Sequence, residues 1–182
     1  MGLRNRSDFD KLGNVYFVTT TIMNYETIFS LGKEYNEILI KSLKYLKTEH
    51  NTSLAAYVIM PHHFHMITRF PKDESLVDFM RDFKKFTSTE MRKQLESDNK
   101  TEILEKLRLN AVKYPRQVFK LWMDRFDDLI IYTEKTLRTK IDYIHMNPVK
   151  AGLVENMNDW VYSSARNYYL GDNSVIDIEN IL

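Results

Sequence analysis

The chain has no cysteine, which excludes a disulfide framework and any metal site built from thiolates. It has only five glycines and four prolines among 182 residues, which argues against a disordered or collagen-like chain. No apolar run approaches the length of a membrane span, and residues 1–10 contain no apolar stretch typical of a signal peptide. These absences predict a soluble, cytoplasmic protein with no membrane partner.

Neither sign of charge predominates, because the chain has 26 Lys and Arg residues and 25 Asp and Glu residues, which gives a net charge of +1. A surface for a polyanion would therefore have to be local. Pairs such as Lys84 and Lys85 exist, but most such clusters are simply solvated faces. Net charge alone neither indicates nor excludes nucleic acid.

The length fits one domain, 1–182, with a core over about 14–150 and a tail over about 151–182. Side-chain periodicity predicts strands at 14–23, 54–60, 63–70 and within 125–132, and helices at 33–49, 75–95, within 96–117 and at 133–147. Ser75 and Thr133 are candidate N-caps, and Pro148 followed by Gly152 is expected to end the last helix at Asn147.

The order β-α-β-β-α-β is that of a ferredoxin-like split βαβ antiparallel sheet, an α+β fold. The segment within 96–117 is then an inserted helix. The helix 133–147 and a short tail, with a helical piece at about 163–170, are additions to that sheet. A site could be built on the open face of the sheet or where a helix crosses it.

Three of the five histidines, His62, His63 and His65, fall within four residues. Because successive side chains of a strand point to opposite faces, His63 and His65 share one face and Phe64 points to the other. Two imidazoles about 7 Å apart along a strand can close on one metal ion. Taken alone, such a pair is more often a surface pattern on an amphipathic strand.

One flank of the helix 133–147 combines a phenol, a carboxamide and an ammonium group, from Tyr143, Asn147 and Lys140. An Asn oxygen can add a hard ligand to two imidazoles, and a phenol beside such an ion is a candidate nucleophile that needs activation. Lys140 could favour the phenolate or hold a phosphate, or it could simply face solvent. His145 falls on the opposite flank and is not counted as a ligand.

Four stretches resemble the HUH single-tyrosine transposases of the insertion-sequence type, most closely the REP-associated tyrosine transposases. They are residues 57–65 (YVIMPHHFH), 122–126 (WMDRF), 142–154 (DYIHMNPVKAGLV) and 160–164 (WVYSS). The third is the most specific, because the nucleophilic tyrosine and a metal-ligating amide four residues later lie in a segment of this form. The similarity runs from about residue 14 to residue 169.

The resemblance implies that His63, His65 and Asn147 bind a divalent ion, Mg²⁺ or Mn²⁺, and that Tyr143 is the nucleophile. Lys140 is a supporting candidate because of its position on the helix, not because of the resemblance. The implied enzyme is a transposase that nicks single-stranded DNA, forms a 5′-phosphotyrosine and rejoins strands through a 3′-hydroxyl. His62 is a departure, since the family usually has Asn before the first histidine. Side-chain alternation places it opposite to His63, with at most an indirect contact to the site.

The partner implied by the resemblance is single-stranded or hairpin DNA, for which the candidate contacts are Arg4, Arg6, Lys84, Lys85 and Lys150. Three alternatives stay open: a non-catalytic nucleic-acid-binding module on the same fold, a domesticated relative that has lost transposition, and a hydrolase in which water attacks. Relatives include monomers and homodimers, and the tail after Trp160 favours a monomer.

Overall fold

The computed structural model of the protein describes residues 14–114, 117–179 and 181. Within these residues the chain forms four strands and five α-helices. In chain order they are β1 (Asn14–Thr21), α1 (Lys33–Glu49), β2 (Ser53–Met60), β3 (His63–Phe70), α2 (Leu76–Ser97), α3 (Thr101–Ala111), β4 (Asp127–Ile130), α4 (Glu134–Lys150) and α5 (Ala165–Leu170). No helix in the described part of the chain is both long and apolar enough to cross a membrane.

The strands form one antiparallel sheet in the order β2-β3-β1-β4. This is the strand order of a split βαβ sheet, so the predicted fold class is confirmed. The central pair, β1 and β3, is in register along its whole length, from Asn14 opposite Phe70 to Thr21 opposite His63. That register fixes which β1 side chains can reach the histidines.

Helices cover both faces of the sheet. On one face α1 and α2 pack against Phe64 and Met66 of β3 in the larger core cluster. On the other face the apolar stripe of α4 packs against Val58 and Ile67, and that stripe consists of Leu137, Ile141 and Ile144. Burying each such side chain contributes about 1.5–3 kcal/mol, so α4 is held firmly across the face to which His63 and His65 point.

The start of α4 is as predicted, because the Thr133 hydroxyl accepts a hydrogen bond from the backbone N–H of Thr136 at 3.1 Å. Its predicted end at Asn147 is wrong, since the helix continues through Pro148 to Lys150. Proline costs the last turn one hydrogen bond, but its ring is buried and the Ala151 N–H still bonds the Asn147 carbonyl at 3.0 Å. Gly152, at φ +69°, then ends the helix.

Other predicted boundaries shift by a few residues. β1 ends at Thr21 rather than 23, because a short 3-10 helix at Met23–Tyr25 follows it, with Asn24 and Tyr25 at positive φ. The inserted helix within 96–117 is confirmed as α3, although Glu96 and Ser97, the first residues of that segment, belong to the end of α2. The Ser75 cap of α2 is confirmed by its bond from the Asp78 N–H at 3.3 Å.

The C-terminal tail follows the outer edge of β2. The Ser164 N–H bonds the Tyr57 carbonyl at 2.9 Å, and the Trp160 indole N–H bonds the Ile59 carbonyl at 2.9 Å. Farther along, the Glu179 N–H bonds the Leu54 carbonyl at 2.8 Å. The tail therefore occupies backbone groups that an edge strand would otherwise offer to another strand.

Candidate active site

β3 and α4 bring the predicted site residues together on one face of the sheet. The ring centroids of His63 and His65 lie 4.7 Å apart, and those of His65 and Tyr143 lie 5.3 Å apart. Tyr143 follows the histidines by almost eighty residues in the sequence and reaches them because α4 crosses the sheet at this point. The structure therefore brings these three side chains together, and their roles stay predictions.

His65 is held in one orientation by two residues of β1. Its Nδ1 lies 2.8 Å from the hydroxyl of Thr19, the residue opposite to it in the β1–β3 register, and its ring stacks on Phe17 at 5.5 Å. The side chain is only 4% exposed. Its Nε2 is buried and has no hydrogen-bond partner among the described residues.

His63 is half-buried, and its Nδ1 is likewise buried with no hydrogen-bond partner in the described chain. Burial, with a smaller effect of the neighbouring His62, lowers the pKa of His63 to about 4. Burial lowers the pKa of His65 to about 3, with smaller electrostatic effects of His63 and Lys140 in the same direction. Both imidazoles are therefore neutral at neutral pH and keep a lone pair, as a metal ligand must.

Two buried imidazole nitrogens that no described residue bonds fit a divalent ion, which would satisfy both. The described residues contain no group of three or more His, Cys, Asp or Glu side chains that could hold a metal, so further ligands would have to be amide, water or substrate oxygens. Asn147 is half-buried on α4, one turn after Tyr143, and its side chain makes no hydrogen bond within the described residues. Its role as a third ligand stays a prediction.

Tyr143 is 39% exposed and lies edge-on against Phe17, with centroids 5.8 Å apart. Two ammonium groups lie near its ring. The Nζ of Lys140 is 5.5 Å from the Tyr143 centroid and 4.5 Å from that of Phe17, and the Nζ of Lys150 is 5.9 Å from the Tyr143 centroid. The phenol thus has access to solvent and a positively charged surrounding.

His62 lies in the turn before β3 rather than in the strand, so side-chain alternation does not apply to it. Its ring is 4.6 Å from that of His63 and 5.5 Å from that of Tyr25. Its carbonyl accepts a bond from the Ile22 N–H at 2.8 Å, which ties the turn to the end of β1. An indirect role of His62 in the site stays a prediction.

The candidate DNA contacts have different surroundings. Arg4 and Arg6 lie outside the described residues. The Lys84 ammonium donates to three main-chain carbonyls, those of Met123, Asp124 and Arg125, at 2.9 to 3.4 Å, and burial lowers its pKa to about 8. Lys85 and Lys150 are exposed. Lys84 therefore has a structural role that the sequence did not indicate.

His145, which was not counted as a ligand, is fully buried on the side of α4 that faces the tail. Its Nε2 lies 2.9 Å from the Ser164 hydroxyl, which also bonds the backbone N–H of Tyr57 at 2.9 Å. Burial lowers the pKa of His145 to about 4. This histidine joins the tail to α4 and β2.

Sequence reasoning missed Phe17 and Thr19, which orient His65. The two residues alternate along β1 as they must to share a face, but their partners depend on the register with β3. It also missed that Lys150 belongs beside Tyr143, because α4 was expected to end before that residue.

An antiparallel sheet that presents a His-x-His pair to a tyrosine on a crossing helix defines a tyrosine transposase fold. The family model described as "Transposase IS200 like" matches residues 14–147, and the chain belongs to this family. Within it, the chain is of the REP-associated tyrosine transposase type.

Two relatives support that type. A Haemophilus influenzae protein, provisionally named a REP-associated tyrosine transposase, is 30% identical over 160 residues, covering 87% of this chain and 83% of that protein. The REP-associated tyrosine transposase of Escherichia coli is 25% identical over 152 residues, covering 84% and 76% respectively. A solved REP-associated tyrosine transposase bound to a REP hairpin shares the fold, with a TM-score of 0.64 at 23% identity over 100% of this chain and 94% of that one.

Proposed function

We propose that this protein is a metal-dependent single-stranded DNA endonuclease and strand transferase that cleaves through Tyr143. The observation that carries the proposal is the position of the Tyr143 ring, whose centroid lies 5.3 Å from that of His65, beside two buried imidazole nitrogens that have no hydrogen-bond partner among the described residues. The hairpin bound to the solved relative supports hairpin or single-stranded DNA as the partner.

The two histidines and Asn147 would hold Mg²⁺ or Mn²⁺, which when bound polarises the scissile phosphate and offsets its charge. Tyr143 attacks phosphorus through its hydroxyl oxygen, a new O–P bond forms, and the bond to the 3′-oxygen breaks. The products are a 5′-phosphotyrosine and a free 3′-hydroxyl, which takes up the proton lost by the phenol. Because the phosphodiester is conserved in the tyrosyl bond, a 3′-hydroxyl can reverse the step without ATP.

Lys140 and Lys150 assist this step by electrostatics. A phenol ordinarily has a pKa near 10, so attack requires help in forming the phenolate. Ammonium groups 5.5 and 5.9 Å from the Tyr143 centroid favour negative charge on that ring and on the incoming phosphate.

The contact between Tyr143 and His65 within one polypeptide supports a site built from a single chain. The tail also covers the outer edge of β2. Both features support a monomer that uses its own tyrosine.

The experiment is to incubate the protein with labelled single-stranded hairpin DNA and Mg²⁺ or Mn²⁺ and to look for an adduct that survives denaturing electrophoresis. Wild type should form it and Tyr143→Phe should not. Tyr45→Phe, at an exposed position on α1, is the matched control and should behave as wild type. An adduct with Tyr143→Phe, or cleavage by wild type without any adduct, contradicts the proposal. The second outcome would favour attack by water.

A further inference from the structure

A groove of about 670 Å³ lies between α2 and the segment 117–126. Met80 and Trp122, which line it, belong to the core cluster on the face of the sheet that bears Phe64. Tyr143 lies on the opposite face, against Phe17. The groove is therefore separate from the candidate active site.

Basic side chains dominate the lining of this groove, with five against one acidic residue in a chain of net charge +1. Three of the five are already engaged: Lys84 by carbonyls, Lys120 by Asp124 and Arg81 by Asp78. The other two, Lys85 and Arg92, are not held in this way by the described residues and can bind a ligand.

Lys85 is exposed, and its ammonium has no partner in the described part of the chain. Among the residues that the structure describes, Arg92 approaches only Glu96, at 4.0 Å, a solvent-exposed contact of little strength. With Ser88 and Thr89 these residues recur at three- and four-residue intervals on α2, and all four line the groove. Seven residues of helix separate the two cations by about 10 Å, the axial length of about three stacked nucleotides.

The opposite wall offers aromatic rings. Phe119 and Phe126 line the groove and are half-buried, with Val118 exposed beside them. A row of cations facing aromatic rings is the combination that binds single strands, since phosphates contact the cations and unpaired bases stack on the rings. A duplex would keep its base faces inside the helix, so the aromatic wall favours a single strand.

The groove reaches the same end of the sheet as the active site. The Met23 N–H bonds the Leu121 carbonyl at 2.7 Å, and the Met123 N–H bonds the Thr21 carbonyl at 2.9 Å. Thr21 in turn pairs with His63. One wall of the groove is therefore fixed beside the end of β1 that adjoins the histidines, and a strand can pass around this end from one face to the other.

We propose that this groove binds the single-stranded DNA that continues from the scissile phosphate, with Lys85 and Arg92 contacting phosphates and Phe119 stacking on a base. The path of the strand rests on the proposed function. Binding in the groove itself requires neither metal nor Tyr143.

The test measures fluorescence anisotropy of a labelled oligothymidylate of about 20 nucleotides with the full chain in EDTA, at about 50 to 200 mM salt. The double variant Lys85→Gln/Arg92→Gln should bind about tenfold more weakly at the lowest salt, with the slope of log K against log salt reduced by about 1.4. Phe119→Leu, which keeps apolar volume, should bind about tenfold more weakly with an unchanged slope.

The matched control is Lys44→Gln/Lys93→Gln, which removes two exposed lysines outside the groove. Wild-type affinity and slope in the groove variant, or an equal loss in the control, overturn the proposal. The proposal is also overturned if a duplex of equal length binds wild type as tightly as the single strand does and loses as much affinity in the groove variants. These measurements contain EDTA and are therefore independent of adduct formation. Tyr143→Phe should bind the oligothymidylate as wild type does. If wild type forms no adduct on any hairpin, the proposed function fails, but binding in the groove is still tested by these measurements.

Discussion

The rings of His65 and Tyr143 meet edge to face, with centroids 5.3 Å apart and planes at 69°. Phe17 contacts both, stacked on His65 and edge-on to Tyr143. Phe17 of β1 therefore positions both a proposed metal ligand, His65, and the proposed nucleophile, Tyr143. Tyr143 is consequently placed before substrate binds, as pre-organised catalysis requires.

We expect Thr19→Val to weaken metal binding about 10- to 100-fold. The Thr19 hydroxyl lies 2.8 Å from His65 Nδ1, and an Nδ1–H that donates to it leaves the Nε2 lone pair free for a metal ion. Valine keeps the shape but removes the acceptor. Calorimetric titration with Mn²⁺ measures the effect. Thr68→Val is the control, because it removes a hydroxyl that bonds the Ser53 carbonyl on β2, and equal weakening there would contradict the assignment.

We expect Lys140→Gln and Lys150→Gln each to slow adduct formation about tenfold, a change of about 1.4 kcal/mol in activation free energy. Each removes an ammonium within 6 Å of the Tyr143 ring centroid. Lys140→Arg should retain more activity than Lys140→Gln, because the charge is kept. Single-turnover rates measure this. Lys135→Gln, an exposed lysine of the same helix, should react at the wild-type rate; a similar slowing there would mean that net charge alone matters.

Much of this site was predictable from local periodicity. Alternation along β3 predicted that His63 and His65 share a face, and helical spacing predicted that Lys140 and Tyr143 share a flank. Thr19 was not predictable, because its role depends on the register that places it opposite His65. Local signals specify which face a side chain takes, whereas its partner across the sheet is a tertiary property.

In the fold, too, local patterns predict some features and tertiary contacts determine others. The order of strands and helices follows from the patterns of apolar residues, and the split βαβ fold class predicted from that order is confirmed. The end of α4 was not, because Pro148 is a local stop signal that burial of its ring overrides. The path of the tail along β2 depends on long-range bonds such as that from Trp160 to Ile59, which leave no periodic signal.

We expect Ser164→Ala to lower the free energy of unfolding by about 2–4 kcal/mol. The hydroxyl accepts from the Tyr57 N–H, donates to the Tyr57 carbonyl at 3.2 Å and lies 2.9 Å from His145 Nε2, and it is fully buried. Alanine removes a hydrogen-bond partner from the buried backbone groups of Tyr57 and from the His145 imidazole. Urea denaturation measures the change. Ser30→Ala, at an exposed position, should stay within about 0.5 kcal/mol of wild type, and a Ser164→Ala protein of wild-type stability would contradict this account.

We expect the metal-free protein to lose stability as the pH falls from about 6.5 towards 5. Burial lowers the pKa of His145 to about 4 in the folded chain, and the pKa values of His63 and His65 are lowered to about 4 and about 3. Below the ordinary histidine pKa of about 6.5, the unfolded chain binds protons that the folded chain does not. The free energy of unfolding should therefore fall by up to about 1.4 kcal/mol per pH unit for each of the three.

Urea denaturation in EDTA at several pH values between about 5 and 7.5 measures this dependence, in a window where carboxylates titrate little. His145→Phe should show a shallower slope than wild type, because one of the three titrating groups is gone. Its stability at neutral pH is a separate quantity, since the bond to Ser164 is also lost. A free energy of unfolding that stays constant from about pH 7.5 to 5 would mean that these imidazoles accept protons in the folded state, and neutral metal ligands at the site would then need another explanation.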